Sequence, residues 1–286
     1  AVKLISRLIV SSRPISWINT AFPFAAAYFI TTGEVTAQLI IGTLFFLIPY
    51  NLLMYGVNDV FDYESDLANP RKGGIEGALL EPKYHAATLW ISTISCAPFV
   101  VYLLVSGSAE ASLILLLVLF AVVAYSAKHL RFKEIPVLDS FTSAVHFVGP
   151  MLFGLSLGHG NLLNPVVALA TLAFMLWGMA SHAFGAIQDI QADRQAKIAS
   201  IATYLGARLT VRLAFASYAV AAVIVIFLPD RFAFAALAAL PYLIVVGREF
   251  QITDETCESA NRGWKRFIWL NFFAGAIISA LLIGPS

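Results

Sequence analysis

The chain has 286 residues, 59% of them hydrophobic and only 12% charged, with a formal net charge of +1 and a mean hydropathy of +0.81. That composition lies outside the soluble globular range and reads as an integral membrane protein. A net charge so close to zero gives no footing for a nucleic-acid partner, and the alternating short strands of an outer-membrane barrel are absent.

In chain order, apolar runs of about 18 to 23 residues recur, each long enough to cross a hydrocarbon core of ~30 Å as a helix. We place spans near Ile15 to Thr32, Ala37 to Val57, Ala86 to Ser106, Ala111 to Ser126, Val137 to Leu157, Pro165 to Gln188, Leu209 to Leu228, Phe232 to Val246 and Phe267 to Ile283. The expected architecture is an all-α, polytopic membrane bundle of about nine helices, forming one domain over residues 1–286 in contact with the lipid bilayer. The first apolar run exceeds a secretory signal's apolar region and is expected to remain as a span.

All but Arg231 of the 18 Lys and Arg residues fall before the first span, in the segments that share its side or, for Arg212, in the first turn of a span that starts on that side. The positive-inside rule then puts the amino terminus and the Lys- and Arg-bearing loops in the cytoplasm, and the expected location is the plasma membrane of a prokaryote. Cys96 lies in the third span and Cys257 in the last inner loop, so neither a disulfide nor a zinc framework follows. That loop, Gly247 to Arg266, mixes acids and bases and reads as a solvated connector.

Two acidic clusters close two of the spans. The second span ends in Asn58-Asp59-Val60-Phe61-Asp62-Tyr63-Glu64-Ser65-Asp66 and the sixth in Asp189-Ile190-Gln191-Ala192-Asp193. Spans four apart run the same way through a bilayer, so the clusters read as a parallel pseudo-repeat at one rim. A carrier built on inverted repeats would more often hold its ion near the midplane.

At ~100° per helical residue, Asp59, Asp62 and Asp66 fall within an arc of ~60° and Asn58 lies ~40° beyond Asp62, while Glu64 lands on the far side. Asp189 and Asp193, at i and i+4, also share a face. Uncompensated carboxylates so close would repel one another, so the arrangement implies a cation. Mg2+ suits these hard oxygen donors and commonly bridges carboxylates to substrate phosphates. Asn58, Asp59, Asp62, Asp66, Asp189 and Asp193 are the candidate metal ligands, and the five aspartates are candidate catalytic residues.

Arg71, Lys72, Lys128, Arg131, Lys133, Arg194 and Lys197 lie in the inner loops near the clusters and are candidate diphosphate partners, although positive-inside sorting alone would place cations there. His182 precedes Asp189 by seven residues. That spacing puts it on the same face, ~10 Å deeper at 1.5 Å per residue. Asp139 and His146 repeat the spacing. Either histidine could take a proton from a product cation or orient a water, His182 being the candidate catalytic residue; an interhelical hydrogen bond is the other reading. Tyr55, one turn before Asp59, could offer a π face or simply pack between helices.

At these residues the chain resembles the UbiA superfamily of intramembrane prenyltransferases. The first cluster matches that family's N-D-x-x-D-x-x-x-D pattern and the second its D-x-x-x-D pattern. Tyr125-Ser126, Arg131, Lys133 and Pro136 are similar to its Tyr-Ser…Arg-x-Lys…Pro stretch, and Arg13-Pro14 to its opening signature. More narrowly, Asn69-Pro70-Arg71-Lys72-Gly73-Gly74-Ile75-Glu76-Gly77 and Ser181-His182-Ala183-Phe184-Gly185-Ala186-Ile187-Gln188-Asp189 resemble the lycopene elongase branch, which makes C50 carotenoids.

The resemblance implies dimethylallyl diphosphate as the allylic donor, lycopene as the lipophilic polyene acceptor, and Mg2+ as cofactor. By their placement on the same faces as the clusters or deeper, Tyr55, Asp139, His146 and His182 are the candidate acceptor-pocket residues. The alternative acceptor is an aromatic ring of a quinone, chlorophyllide or haem precursor, although quinone-type relatives commonly read Asn-Arg-Pro where this chain has Asn69-Pro70-Arg71. A cation carrier would leave the basic motifs unexplained, and the D-G-x-x-A-R signature of CDP-alcohol phosphotransferases does not occur.

Overall fold

The protein is described here by a computed structural model over residues 2–67 and 79–283. Every regular element among the described residues is helical, and eight helical segments are long and apolar enough to cross a membrane. The expected first span departs from this pattern. Arg13 adopts a left-handed conformation (φ 51°), Pro14 opens a 3-10 turn, and a 15-residue helix then runs only from Ile18 to Thr32. At 1.5 Å per residue that helix is ~22 Å long, short of a full bilayer crossing.

The chain packs as two compact units, residues 1–132 with 149–160, and residues 133–148 with 161–286.

The first unit opens with α1 (Val2–Ser11) and α2 (Ile18–Thr32). Gly33, at φ 68°, ends α2 in the left-handed conformation that glycine adopts without a Cβ penalty. Thr36 caps α3 (Ala37–Leu47) by accepting from Leu39 N–H. The second expected span is not one straight helix, because Pro49 starts α4 (Pro49–Phe61) afresh. Proline lacks the N–H that would continue the ladder and leaves carbonyls behind it without donors. Asn51 Nδ2 supplies that need, at 2.7 Å from Phe46 O and 3.1 Å from Leu47 O, and Thr20 Oγ also donates to Phe46 O at 2.7 Å. Bonds of this kind are what allow a broken helix at membrane depth.

α5 (Tyr63–Leu67), α6 (His85–Ser106) and α7 (Ala109–Ser126) follow, with residues 149–160 adding the second half of α8 (Leu138–Leu157). The core of this unit is aromatic. Phe24 packs on Phe46 (ring centroids 5.1 Å apart) and Phe153 (5.7 Å), and Phe46 meets Tyr50 edge-on at 5.0 Å. Gly42 lets α3 seat directly on the Phe24 ring, since a Cβ there would lie 2.2 Å from Phe24 Cζ.

The second unit comprises the first half of α8, α9 (Pro165–Ile187), α10 (Ile190–Ala196), α11 (Ile201–Leu205), α12 (Ala207–Ile226), α13 (Leu240–Gly247) and α14 (Ala260–Ile283). The eighth expected span is mostly 3-10, from Asp230 to Ala239, and becomes α-helical where Pro241 occupies the first turn of α13. Its core stacks Tyr218 on Tyr242 and packs Phe267 against Phe184 and Tyr242, all with centroids 5.1 to 5.2 Å apart. Outside both cores, large apolar side chains such as Val105, Leu117, Phe120, Val223, Phe227 and Trp269 are exposed. Such apolar faces on a helical bundle are what lipid tails cover.

Candidate active site

In the first unit, Asp62 sits at the junction of α4 and α5 without ending the helical ladder. Its N–H bonds to Asn58 O at 2.9 Å, and Asp66 N–H bonds to Asp62 O at 2.8 Å. The 3.6-residue period therefore carries through the motif. Asp59, Asp62 and Asp66 are 1%, 7% and 7% exposed, whereas Glu64 points to solvent.

Burying carboxylates is costly unless they are paired. Both Asp59 oxygens are engaged, Oδ2 accepting from Ser11 Oγ at 2.7 Å and Oδ1 from Arg13 Nη2 at 3.3 Å. Arg131 brings Nη2 to 3.7 Å from Asp62 Oδ1. Asn58 Oδ1 accepts from Ser126 Oγ at 2.9 Å. Tyr55 is tied to the same cluster, because the Arg13 guanidinium lies over its ring at 4.2 Å from the centroid. The left-handed turn at Arg13 thus places one cation against both a carboxylate and an aromatic face. Neither Ser11 nor the Arg13 contacts stood among the expected site residues.

In the second unit, Asp189 is the N-cap of α10 and Asp193 lies in its first turn. Asp193 N–H bonds to Asp189 O at 2.8 Å, and Lys197 turns left-handed (φ 57°) so that Ile198 N–H returns to Asp193 O at 2.8 Å. Arg194, a candidate diphosphate partner, reaches Asp254 Oδ2 (2.7 Å) and Thr203 O (3.1 Å). Lys128 and Lys197 are exposed and Lys133 is half-buried. Arg71 and Lys72 lie outside the described residues.

Also in this unit, His182 Nδ1 lies 3.0 Å from Ser140 Oγ, which fixes the ring. Asp139 is fully buried and holds two backbone N–H groups, Oδ1 that of Ser140 at 2.6 Å and Oδ2 that of Ile201 at 2.7 Å. It therefore pins the start of α8 to the start of α11. His146 is buried, 3% exposed.

The donor sets fit Mg2+ by chemistry, being carboxylate and amide oxygens only. Among the described residues no three His, Cys, Asp or Glu side chains converge closely enough to hold a metal unaided. Mg2+ commonly keeps waters and takes substrate phosphate oxygens beside one or two carboxylates.

Residues 20–281 match the model of the UbiA prenyltransferase family. A C(50) β-cyclic carotenoids biosynthesis protein of Dietzia sp. (strain CQ4) is 54% identical over 282 residues, 98% of this chain; the chain spans 65% of that relative's length. A lycopene elongase/hydratase of Corynebacterium glutamicum is 51% identical over 276 residues, 96% of each chain. Among solved structures, a UbiA homologue from Archaeoglobus fulgidus bound to GPP and Mg2+ superposes with a TM-score of 0.71 at 17% identity, covering 96% of this chain and 99% of that one. The same homologue bound to DMAPP and Mg2+ gives 0.67. At that identity the likeness shows a shared fold.

Proposed function

The chain belongs to the UbiA prenyltransferase family, and on that premise we propose that it joins the allyl group of dimethylallyl diphosphate to lycopene, giving C45 and then C50 carotenoids. The observation that carries this reading is the 51% identity, over 96% of both chains, to a lycopene elongase/hydratase. Two five-carbon additions to a C40 polyene also account for the C50 products in the name of the Dietzia relative.

Each aspartate motif is a candidate Mg2+ ligand set: Asn58, Asp59, Asp62 and Asp66 in the first, Asp189 and Asp193 in the second. Bound there, the metal would supply Lewis-acid neutralisation of the diphosphate charge. The chain's own part is to add charge-assisted hydrogen bonds to the diphosphate from Arg131, Lys133, Lys128 and Lys197. Its apolar helices keep water from the allyl cation until a double bond attacks it. With the family's motifs on the Lys- and Arg-rich side, the donor arrives from the cytoplasm of a prokaryotic cell and the acceptor from the lipid of its plasma membrane.

After carbon–carbon bond formation the new tertiary cation either loses a proton to give an alkene or takes water and loses a proton to give an alcohol. In this reading His182, held by Ser140, accepts that proton or orients that water. Ser140→Ala frees the ring, so the alkene-to-alcohol ratio is expected to shift, and His182→Ala to shift it further. Mass analysis of the carotenoids checks this; identical ratios in both variants would make the pair a packing contact only.

Expression in lycopene-producing cells tests the whole reading. New C45 and C50 species are expected, and an unchanged lycopene pool in cells containing folded protein would reject lycopene as acceptor.

A further inference from the structure

The segment bearing the second aspartate motif is gripped on one face by a part of the chain that carries no family motif. Asn261 Nδ2 donates to Gln188 Oε1. Gln191 Nε2 donates to the carbonyls of Asp254 (3.1 Å) and Glu255 (3.2 Å). Arg194 Nη1 donates to Asp254 Oδ2 at 2.7 Å. On α10, at ~100° per residue, Gln191 and Arg194 fall within an arc of ~60°, and Asp193 and the N-cap Asp189 lie together on the far side. One face is held while the other carries the carboxylates.

Asp254 is the hub. Its second oxygen accepts the N–H of Ala207 at 2.7 Å, the first residue of α12. Arg194 Nη2 closes the circuit on Thr203 O. One carboxylate therefore ties the motif helix α10 to the start of a long span, and it does so through charge-assisted hydrogen bonds, the stronger kind.

We infer that residues 254–261 brace the second aspartate motif and that Asp254 is its positioning residue, fixing Asp189 and Asp193 for metal and diphosphate. Arg194 serves this brace. The inference rests on the reading of Asp189 and Asp193 as Mg2+ ligands. Partners one step removed from a metal ligand typically set affinity by about 10- to 100-fold.

Purified protein in detergent, titrated with Mg2+ in the presence of inorganic pyrophosphate and followed by melting temperature, gives a readout independent of turnover. Asp254→Asn keeps an acceptor for Ala207 but loses the charge that holds Arg194; Arg194→Gln breaks the same link from the other end. Each is expected to raise the Mg2+ midpoint about tenfold, and the double variant no further than the larger single. Midpoints that stay at the wild-type value in both singles, or that add in the double, overturn the brace. A wild-type protein that does not respond to Mg2+ overturns the ligand reading itself, and the brace with it.

Discussion

Asp62→Ala and Asp189→Ala are each expected to lower kcat/KM for the allylic donor by about 10²- to 10³-fold or more, the scale seen when one preorganised group at a developing charge is removed. The reason lies in where the charge goes. On the proposed reading, departure of diphosphate leaves an anion, and a metal held by these carboxylates would neutralise it. Asp62 is 7% exposed and lies by Arg131, and Asp189 is half-buried at the N-cap position of α10. Glu64→Ala, two residues from Asp62 on the face that points to solvent, serves as the control and should turn over at the wild-type rate. Release of diphosphate by purified, monodisperse protein is the measurement. Full activity in either aspartate variant would remove that residue from the site.

The second large effect concerns Asp139, which the sequence offers as an acceptor-pocket residue and the structure shows holding backbone. Asp139→Ala leaves the Ile201 N–H buried without its acceptor, at a cost of about 1 to 3 kcal/mol. Melting temperature should fall, and turnover with it, because α11 directly follows the second motif. Asp139→Asn retains one acceptor oxygen and should recover most of the stability and much of the rate. Were the carboxylate charge itself used in the chemistry, the asparagine variant would be as inactive as the alanine one while remaining nearly as stable as wild type. Comparing the two variants by melting and by turnover separates the roles.

Much of this could be read in advance because it is periodic or long. Apolar runs of bilayer length announce the spans, and the 3.6-residue period sorts Asp59, Asp62 and Asp66, which are buried, from Glu64, which is not. The interruptions were harder. Pro49 sits in an unbroken apolar run, so hydropathy passes over it, and the fifteen-residue length of α2 depends on a left-handed Arg13 that no propensity favours.

What escaped entirely were polar contacts between distant positions: Ser11 with Asp59, Ser140 with His182, Asp254 with Arg194, separated by 48, 42 and 60 residues. A single hydroxyl or carboxylate has no period. Its partner is chosen by packing, which is why the loop from Gly247 to Arg266 reads as a solvated connector and yet holds Gln188, Gln191 and Arg194.

The ion pair between Arg13 and Asp59 has a bearing on biogenesis. The ribosome delivers a chain from its amino terminus at about 5 to 20 residues per second, so the guanidinium emerges well before the carboxylate it will meet. Once α4 follows, the pair leaves neither charge alone in apolar surroundings, so the acid at the end of α4 carries its own countercharge before any substrate arrives.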